Sequence, residues 1–413
     1  MRPRQNSQGR QRAAIQSNQL QLGRGRRPDY WLLIWCAALL SIGLIVVYAI
    51  SPALAAAHHV NANYYVGKQL LAIGLSLVAF AFTAHVPLQW WRQAYKPLLV
   101  IAAIATFLAL LMPVNPSYPA HRWVRLGSFS FQSVELVKFA ILLWLAGFLA
   151  KRRQEGIIHS RQQTLKPILY ALAIVSVVVV GVQSDLGSAG VMVAMMATMA
   201  FVAGLPMRRI LLISTVVLVG LVLAVSATPY RRTRLESFLH PEANCQDSGY
   251  QACQALIAVG SGGIIGLGLG SSVQAYGYLP EAANDSIFAI YAEKFGFIGS
   301  VILLGVFIAF FARLKSIAER LPDDFSRLMV IGVLAWLSVQ TMINIGAMLG
   351  LLPLKGITLP FISYGGTSVV FAAAAVGLAY QASRYAAPRP PRVSVAEPSA
   401  RPGLRDTTVR RPI

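Results

Sequence analysis

Ten times along this chain, a run of apolar residues lasts about as long as a lipid bilayer is thick. The runs fall at about residues 30–50, 69–85, 97–114, 131–150, 167–183, 187–205, 210–227, 286–312, 328–349 and 366–385. A spanning helix needs roughly 17–25 such residues. Inside hydrocarbon every backbone N–H and C=O must be satisfied by the chain itself, so only helices and closed barrels cross. Continuous apolar runs, rather than short alternating segments, select helices. The expected fold is an all-α polytopic membrane protein of about ten transmembrane helices. Composition agrees: 56% of the 413 residues are hydrophobic and only 12% are charged, against about a quarter charged in soluble domains.

Residues 1–29 are polar and basic with no apolar periodicity, and residues 386–413 are rich in Pro and Arg. Both read as disordered tails flanking one membrane domain, residues 30–385. No cleavable signal peptide is expected, because the first apolar run is long enough to span and lacks a small-residue cleavage site. Ten crossings put both tails on one side. The N-tail holds seven Arg and the C-tail six. The loops on their side add Arg92, Lys96, Lys151, Arg152, Arg153, Arg161, Lys166, Arg208, Arg209, Arg313, Lys315, Arg320 and Arg327. Positive charge marks cytoplasmic loops, so both termini are expected in the cytoplasm. The net charge of +21 is then mostly an orientation signal. It attracts anionic membrane lipids secondarily and gives no support to nucleic-acid binding.

The same topology leaves one large extracytoplasmic loop, about residues 228–285, between the seventh and eighth spans. Long loops among short ones are functional or disordered. The outer side receives few cations: Lys68, Arg122, Arg125, Arg231, Arg232, Arg234 and Lys355. Arg matches phosphate oxygens in bidentate geometry, so an anionic ligand is expected there. The plainer alternative is that short outer loops simply carry some Arg. Cys245 and Cys253 share the long loop and could form a disulfide if it faces an oxidising compartment. Cys36 lies in the first apolar run and reads as a small buried hydrophobe.

Several polar residues fall within or at the edges of the spans. Glu135 and Lys138, three apart at the start of the fourth run, share a helix face, with Gln132 one turn earlier. Such a pair points into the bundle, as catalytic groups or as a structural ion pair; the structural role is favoured. Asp185 reads as a cap on the sixth span, a role in the site being the weaker reading. Glu293 lies eight residues after Asp285, broadly on the same side of the eighth span. Asp285 itself stands at the mouth of that helix, as a cap or as a general base. Glycines around Pro360 suggest a re-entrant stretch before the last span.

Taken in order, these segments resemble the SEDS family of bacterial membrane glycosyltransferases. The resemblance rests on Arg122-Trp123, Phe131-Gln132…Glu135…Lys138, Asp185-Leu186-Gly187, Tyr230-Arg231-Arg232 and Gly249-Tyr250-Gln251. It continues through Gly260-Ser261-Gly262-Gly263…Gly266…Gly268, Leu279-Pro280-Glu281…Asp285…Phe288 and Leu359-Pro360-Phe361-Ile362-Ser363-Tyr364-Gly365-Gly366. Thr358 and both tails look more like the cell-division branch (FtsW) than the elongation branch (RodA). The sequence departs from the family at Ala283-Asn284, where His-Thr is usual. Ser133 and Val134 replace the usual Pro and Ser.

The resemblance implies an enzyme that polymerises lipid II, an undecaprenyl pyrophosphate-linked disaccharide-pentapeptide. The work would take place at the outer face of a bacterial cytoplasmic membrane, at the division septum. A sugar hydroxyl attacks C1 of the donor sugar with inversion, and the lipid pyrophosphate leaves. Asp285 is then the expected base. Arg122, Arg231, Arg232, Arg234, Gln251, Glu281, Lys355 and Ser363 are the expected substrate contacts. Gln132, Glu135, Lys138, Asp185 and Glu293 are expected to shape the cavity. A divalent cation, Mg or Mn, could assist; no other cofactor is implied. Expected partners are a class B penicillin-binding protein and other division proteins. The rival readings are a flippase for the same lipid and a non-enzymatic scaffold. Inverted repeats would favour a transporter, and none is evident.

Overall fold

The structure is a computed structural model that describes residues 27–112, 122–126, 129–226, 238, 245–247 and 249–387. Most of both tails (residues 1–26 and 388–413) and Arg231, Arg232 and Arg234 lie outside these residues. The chain runs through α1 (Tyr30–Ala57), α2 (Tyr64–His85), α3 (Leu88–Leu111), the strands β1 (Trp123–Leu126) and β2 (Phe129–Gln132), then α4 (Ser133–Gln154). There follow α5 (Arg161–Val182), α6 (Leu186–Ala203), α7 (Met207–Ser226), α8 (Tyr250–Ser261), α9 (Ile287–Glu319), α10 (Asp324–Met348) and α11 (Gly366–Ser383).

Among the described residues, nine of these helices are long and apolar enough to cross a membrane. The tenth expected run is the helix α7, whose side chains are described only in part. The chain is a multi-pass helical membrane protein. Large apolar side chains such as Val78, Phe107 and Ile308 face outward, as lipid requires. α4, α6, α10 and α11 form the buried centre.

Small residues let the central helices meet. α2 and α11 run parallel: Ala72 meets Gly366, and Thr83 and Phe80 meet Gly377 eleven residues on in both helices. A β-carbon on Gly377 would run into Thr83 Oγ1 and the Phe80 carbonyl. Parallel neighbours must both enter from the same membrane face, as the second and tenth spans of a ten-span chain do.

Ion pairs gather at one end of the bundle. Asp29 Oδ1 accepts from Arg313 Nε at 2.7 Å, and its Oδ2 accepts from Arg320 Nη2 at 3.3 Å. Arg92 binds Asp323 at 2.5 Å, and Arg153 approaches Asp324 at 3.5 Å. Burial alone would raise the Asp323 pKa, but hydrogen bonds from Arg92 and Ser326 hold it below the usual carboxylate range. Exposed Tyr30, Trp31 and Trp90 ring the same end, as aromatic side chains do at a membrane interface.

Two expectations about backbone need correction. Gln132 is not one helical turn before Glu135: it closes β2, paired with Trp123, and α4 begins at Ser133. α9 is not a plain helix. It breaks at Gly296 (φ 65°, ψ −163°), and the freed groups pair with the glycine loop ahead of it. Leu267 N donates to Glu293 O (2.9 Å) and Gly268 N to Lys294 O (3.0 Å). Phe297 N and Ile298 N donate to Gly263 O and Ile264 O (2.9 and 3.0 Å). A β-carbon on Gly262 would strike the Ala292 carbonyl, and one on Gly266 the Lys294 carbonyl. That contact explains Gly262 and Gly266, where backbone packs directly on backbone, whereas Gly263 and Gly268 adopt positive φ (52° and 87°).

Candidate active site

The end of the bundle opposite the ion pairs is assembled from the α5–α6 turn, the β-hairpin, the mouth of α9 and residues 355–358. The last turns of α5, Ser176–Val182, are wound as π-helix. Widened turns of this kind concentrate at functional sites. They leave the carbonyls of Gln183 and Ser184 at a helix C-terminus, where partial negative charge collects. Arg122 fills that position: its Nε donates to Gln183 O (3.1 Å) and its Nη2 to Ser184 O (2.6 Å). Gln183 is held in turn, its Nε2 donating to Ser133 Oγ at 2.9 Å.

Asp185 has the bland role weighed for it. Its Oδ1 accepts from Ser188 N (3.0 Å) and its Oδ2 from Ser188 Oγ (2.9 Å), capping α6. Gly187, two residues on, admits the next piece. A β-carbon there would stand 2.5 and 2.6 Å from Ile357 side-chain carbons and 3.1 Å from Lys355 Cβ. The segment 355–357 therefore lies directly on the start of α6.

Asp285 is half-buried at the entry to α9, and α10 fixes its place. Asn344 Nδ2 donates to both Asp285 O and Ile357 O, each at 2.7 Å. One turn earlier on the same face, Gln340 Nε2 donates to Thr358 O at 2.9 Å. Two side-chain amides thus pin neighbouring carbonyls of the 355–358 segment and the backbone of Asp285. The result is a close convergence at Gly356. The position of a β-carbon there lies 3.5 Å from Arg122 Nη1 and 3.6 Å from Asp285 Oδ2.

Glu135 and Lys138 form a buried pair at 2.8 Å, 3% and 1% exposed. Lys138 Nζ also donates to Gln340 Oε1 (3.1 Å) and lies 5.1 Å from the Trp336 ring centroid. This orients the Gln340 amide, so the pair reaches the 355–358 segment through one side chain. Glu135 Oε2 and Gln183 Oε1 are buried without a hydrogen-bond partner among the described residues.

Other expected site residues fall into supporting places. Gln251 on α8 donates through Nε2 to Ser286 Oγ (3.0 Å), next to Asp285. Glu281 is exposed, accepts from Asn284 Nδ2 and has φ 51°. Ser363 is fully buried; it accepts from Leu359 N (2.7 Å) and donates to Asn284 O (2.6 Å), so its hydroxyl holds the loop. Glu293 faces away from the convergence: it is fully buried and accepts from Ser272 Oγ, Val273 N and Gln274 N. Lys355 is half-buried beside Gly356. Cys245 and Cys253 are joined as a disulfide. Three of the four non-glycine residues with positive φ among the described residues, Ser184, Glu281 and Phe361, sit in the segments that build this end. Strained backbone of this kind concentrates at functional sites.

Arg122, Asp285 and the 355–358 segment are assembled by residues spread over the whole membrane region, and that whole region matches a known family. The FtsW/RodA/SpoVE family model, described as "cell cycle protein", matches residues 30–387. The chain belongs to this family. It is 39% identical over 364 residues to the "probable peptidoglycan glycosyltransferase FtsW" of Saccharophagus degradans, covering 86% of this chain and 92% of that one. It is 37% identical over 359 residues to the "stage V sporulation protein E" of Bacillus subtilis, covering 87% and 97%. Among solved structures it matches a chain described under "structural coordination of polymerization and crosslinking by a peptidoglycan synthase complex". That match has a TM-score of 0.68 and 27% identity over 86% of this chain and 98% of the other. The rod shape determining protein RodA of Thermus thermophilus matches with a TM-score of 0.60 and 26% identity, over 86% and 97%.

Gln340 and Asn344 were not singled out in the sequence. Neutral amides in an apolar helix carry no charge signal. Their four-residue spacing, continuing to Trp336, was the one clue.

Proposed function

We propose that the chain is a peptidoglycan glycosyltransferase of the cell-division type, polymerising lipid II at the outer face of a bacterial cytoplasmic membrane. The observation that carries this reading is the approach of Asp285 Oδ2 and Arg122 Nη1 to one point over Gly356, at the end of the bundle opposite the ion pairs of Arg92, Arg153, Arg313 and Arg320. The positive-inside rule makes that end extracytoplasmic.

An alcohol is a weak nucleophile while protonated, so the acceptor hydroxyl needs a base. Asp285 takes that proton as the new bond to C1 forms. The bond from C1 to the pyrophosphate oxygen breaks, and the electron pair leaves on phosphate. Arg122, anchored by two carbonyls, meets that developing charge with an oriented guanidinium. Lys355, beside Gly356, adds positive charge to the same face; Arg231, Arg232 and Arg234 lie outside the described residues. The Glu135–Lys138 pair shapes the cavity wall through Gln340. Among the described residues no three His, Cys, Asp or Glu converge to hold a divalent cation. A single-span transpeptidase of the class B penicillin-binding type is the proposed partner, and the division septum the proposed site of action.

The test is polymerisation of lipid II by the purified protein in detergent, alone and with its transpeptidase. Detergent abolishes the sealed compartment a flippase needs, so glycan chains report chemistry. Asp285→Ala is expected to abolish chain formation while the protein still inserts and folds. Wild-type activity in that variant would remove Asp285 from the mechanism.

A further inference from the structure

Most glycines around the site have a packing reason. Gly187 admits Ile357, a β-carbon on Gly43 would stand 2.6 Å from the Phe361 carbonyl oxygen, and Gly262 and Gly266 meet the backbone of α9. Gly356 has none. Its φ is not in the left-handed region, and among the described residues an added β-carbon would meet nothing within 4 Å beyond its chain neighbours except Arg122 Nη1 and Asp285 Oδ2. Alanine would fit there without strain, at ordinary contact distance from both. Gly356 is itself exposed, so the space over its Cα is reachable.

The spacing of that space is set from three sides. Asn344 ties Asp285 O to Ile357 O. Gly187 seats Ile357 and Lys355 on α6. The carbonyls of Gln183 and Ser184 hold Arg122. A site built this rigidly around one missing side chain keeps that volume for something else.

Resting on the glycosyltransferase reading above, we propose that Gly356 is a specificity-determining position. Its bare Cα keeps open the space in which the reacting sugar carbon meets Asp285 on the hydroxyl side and Arg122 on the pyrophosphate side. The occupant is a hexosyl pyrophosphate at its anomeric centre. Binding of the lipid chain and the peptide, which lie elsewhere, does not depend on this position.

The experiment compares wild type, Gly356→Ala and Gly190→Ala, each purified in detergent, for thermal unfolding and for kcat and KM with lipid II. Gly190 on α6 also has no atom within 4 Å of an added β-carbon and serves as the control. For Gly356→Ala the expected result is an unchanged melting temperature, a KM close to wild type and a kcat lower by about 10²-fold, the scale of a misplacement near 1 Å. Gly190→Ala is expected to match wild type throughout. An unchanged kcat in Gly356→Ala would overturn the proposal. So would a raised KM at constant kcat, or a loss of thermal stability parallel to the loss of turnover. An inactive wild type, or an active Asp285→Ala, would instead overturn the enzymatic reading itself.

Discussion

Arg122 shows how a single residue divides its donors. A guanidinium offers five N–H groups in a fixed fork, and here Nε and Nη2 are spent on the carbonyls that end α5. That leaves Nη1 beside Gly356, 3.5 Å from the position a β-carbon would take there, a point Asp285 Oδ2 also approaches at 3.6 Å. Arg122→Ala is expected to lower polymerisation by about 10²-fold, the cost of losing one donor to developing oxyanion charge, with little change in melting temperature. Arg122→Lys keeps the charge but not the fork and is expected to fall between. Equal losses of activity and thermal stability would assign Arg122 to holding the α5–α6 turn. Asp285, Arg122 and the Glu135–Lys138 pair were legible in the sequence because charge in an apolar chain is costly and therefore conspicuous. Ser363 was legible as a polar residue but not as a loop tie, since only tertiary contact reveals that its hydroxyl bridges Leu359 N and Asn284 O. Gln340 and Asn344 stayed hidden because an amide looks the same in sequence whether it is bonded or idle.

At the scale of elements, apolar length identified the helices but not their interruptions. Glycine is common in membrane helices, so Gly296 carried no warning that α9 breaks there. The break became visible only with the glycine loop laid against it. The short hairpin β1–β2 was missed for a related reason: Phe131 opens the apolar run expected for the fourth span, although it belongs to β2. The pairing of loop and broken helix predicts a sharp difference between neighbouring glycines. Gly266→Ala places a β-carbon against the Lys294 carbonyl at φ +85°. It is expected to cost about 2–4 kcal/mol from left-handed backbone and overpacking combined. Gly270→Ala meets nothing within 4 Å and is expected to be neutral. Thermal unfolding of the two variants in detergent checks this, and equal behaviour would remove the backbone-to-backbone contact as the reason for the glycines.

Across the whole molecule, charge sorts the two ends. Arg92, Arg153, Arg313 and Arg320 pair at one end, whereas Asp285 and Arg122 meet at the other. The orientation was already implied by the distribution of Lys and Arg, and the structure adds which side chains converge at each end. A topology test is clean in this chain because Cys245 and Cys253 are paired and Cys36 is buried. In spheroplasts, Glu281→Cys is expected to react with a membrane-impermeant maleimide, and Lys315→Cys only after the membrane is opened. The reverse pattern would place Asp285 in the cytosol and end the enzymatic account.

Asp29 and Ala387, near the two ends of the described chain, both hold Arg320: Asp29 through its carboxylate and Ala387 through its N–H to the Arg320 carbonyl. Arg320 caps α9, whose unbroken stretch beyond Gly296, residues 297–319, makes a rod of about 35 Å. The opposite tip of α9 adjoins Asp285. Both ends of the described chain therefore bear on the tip of α9 remote from Asp285, with Gly296 the one residue of non-helical backbone between the two tips among the described residues of α9.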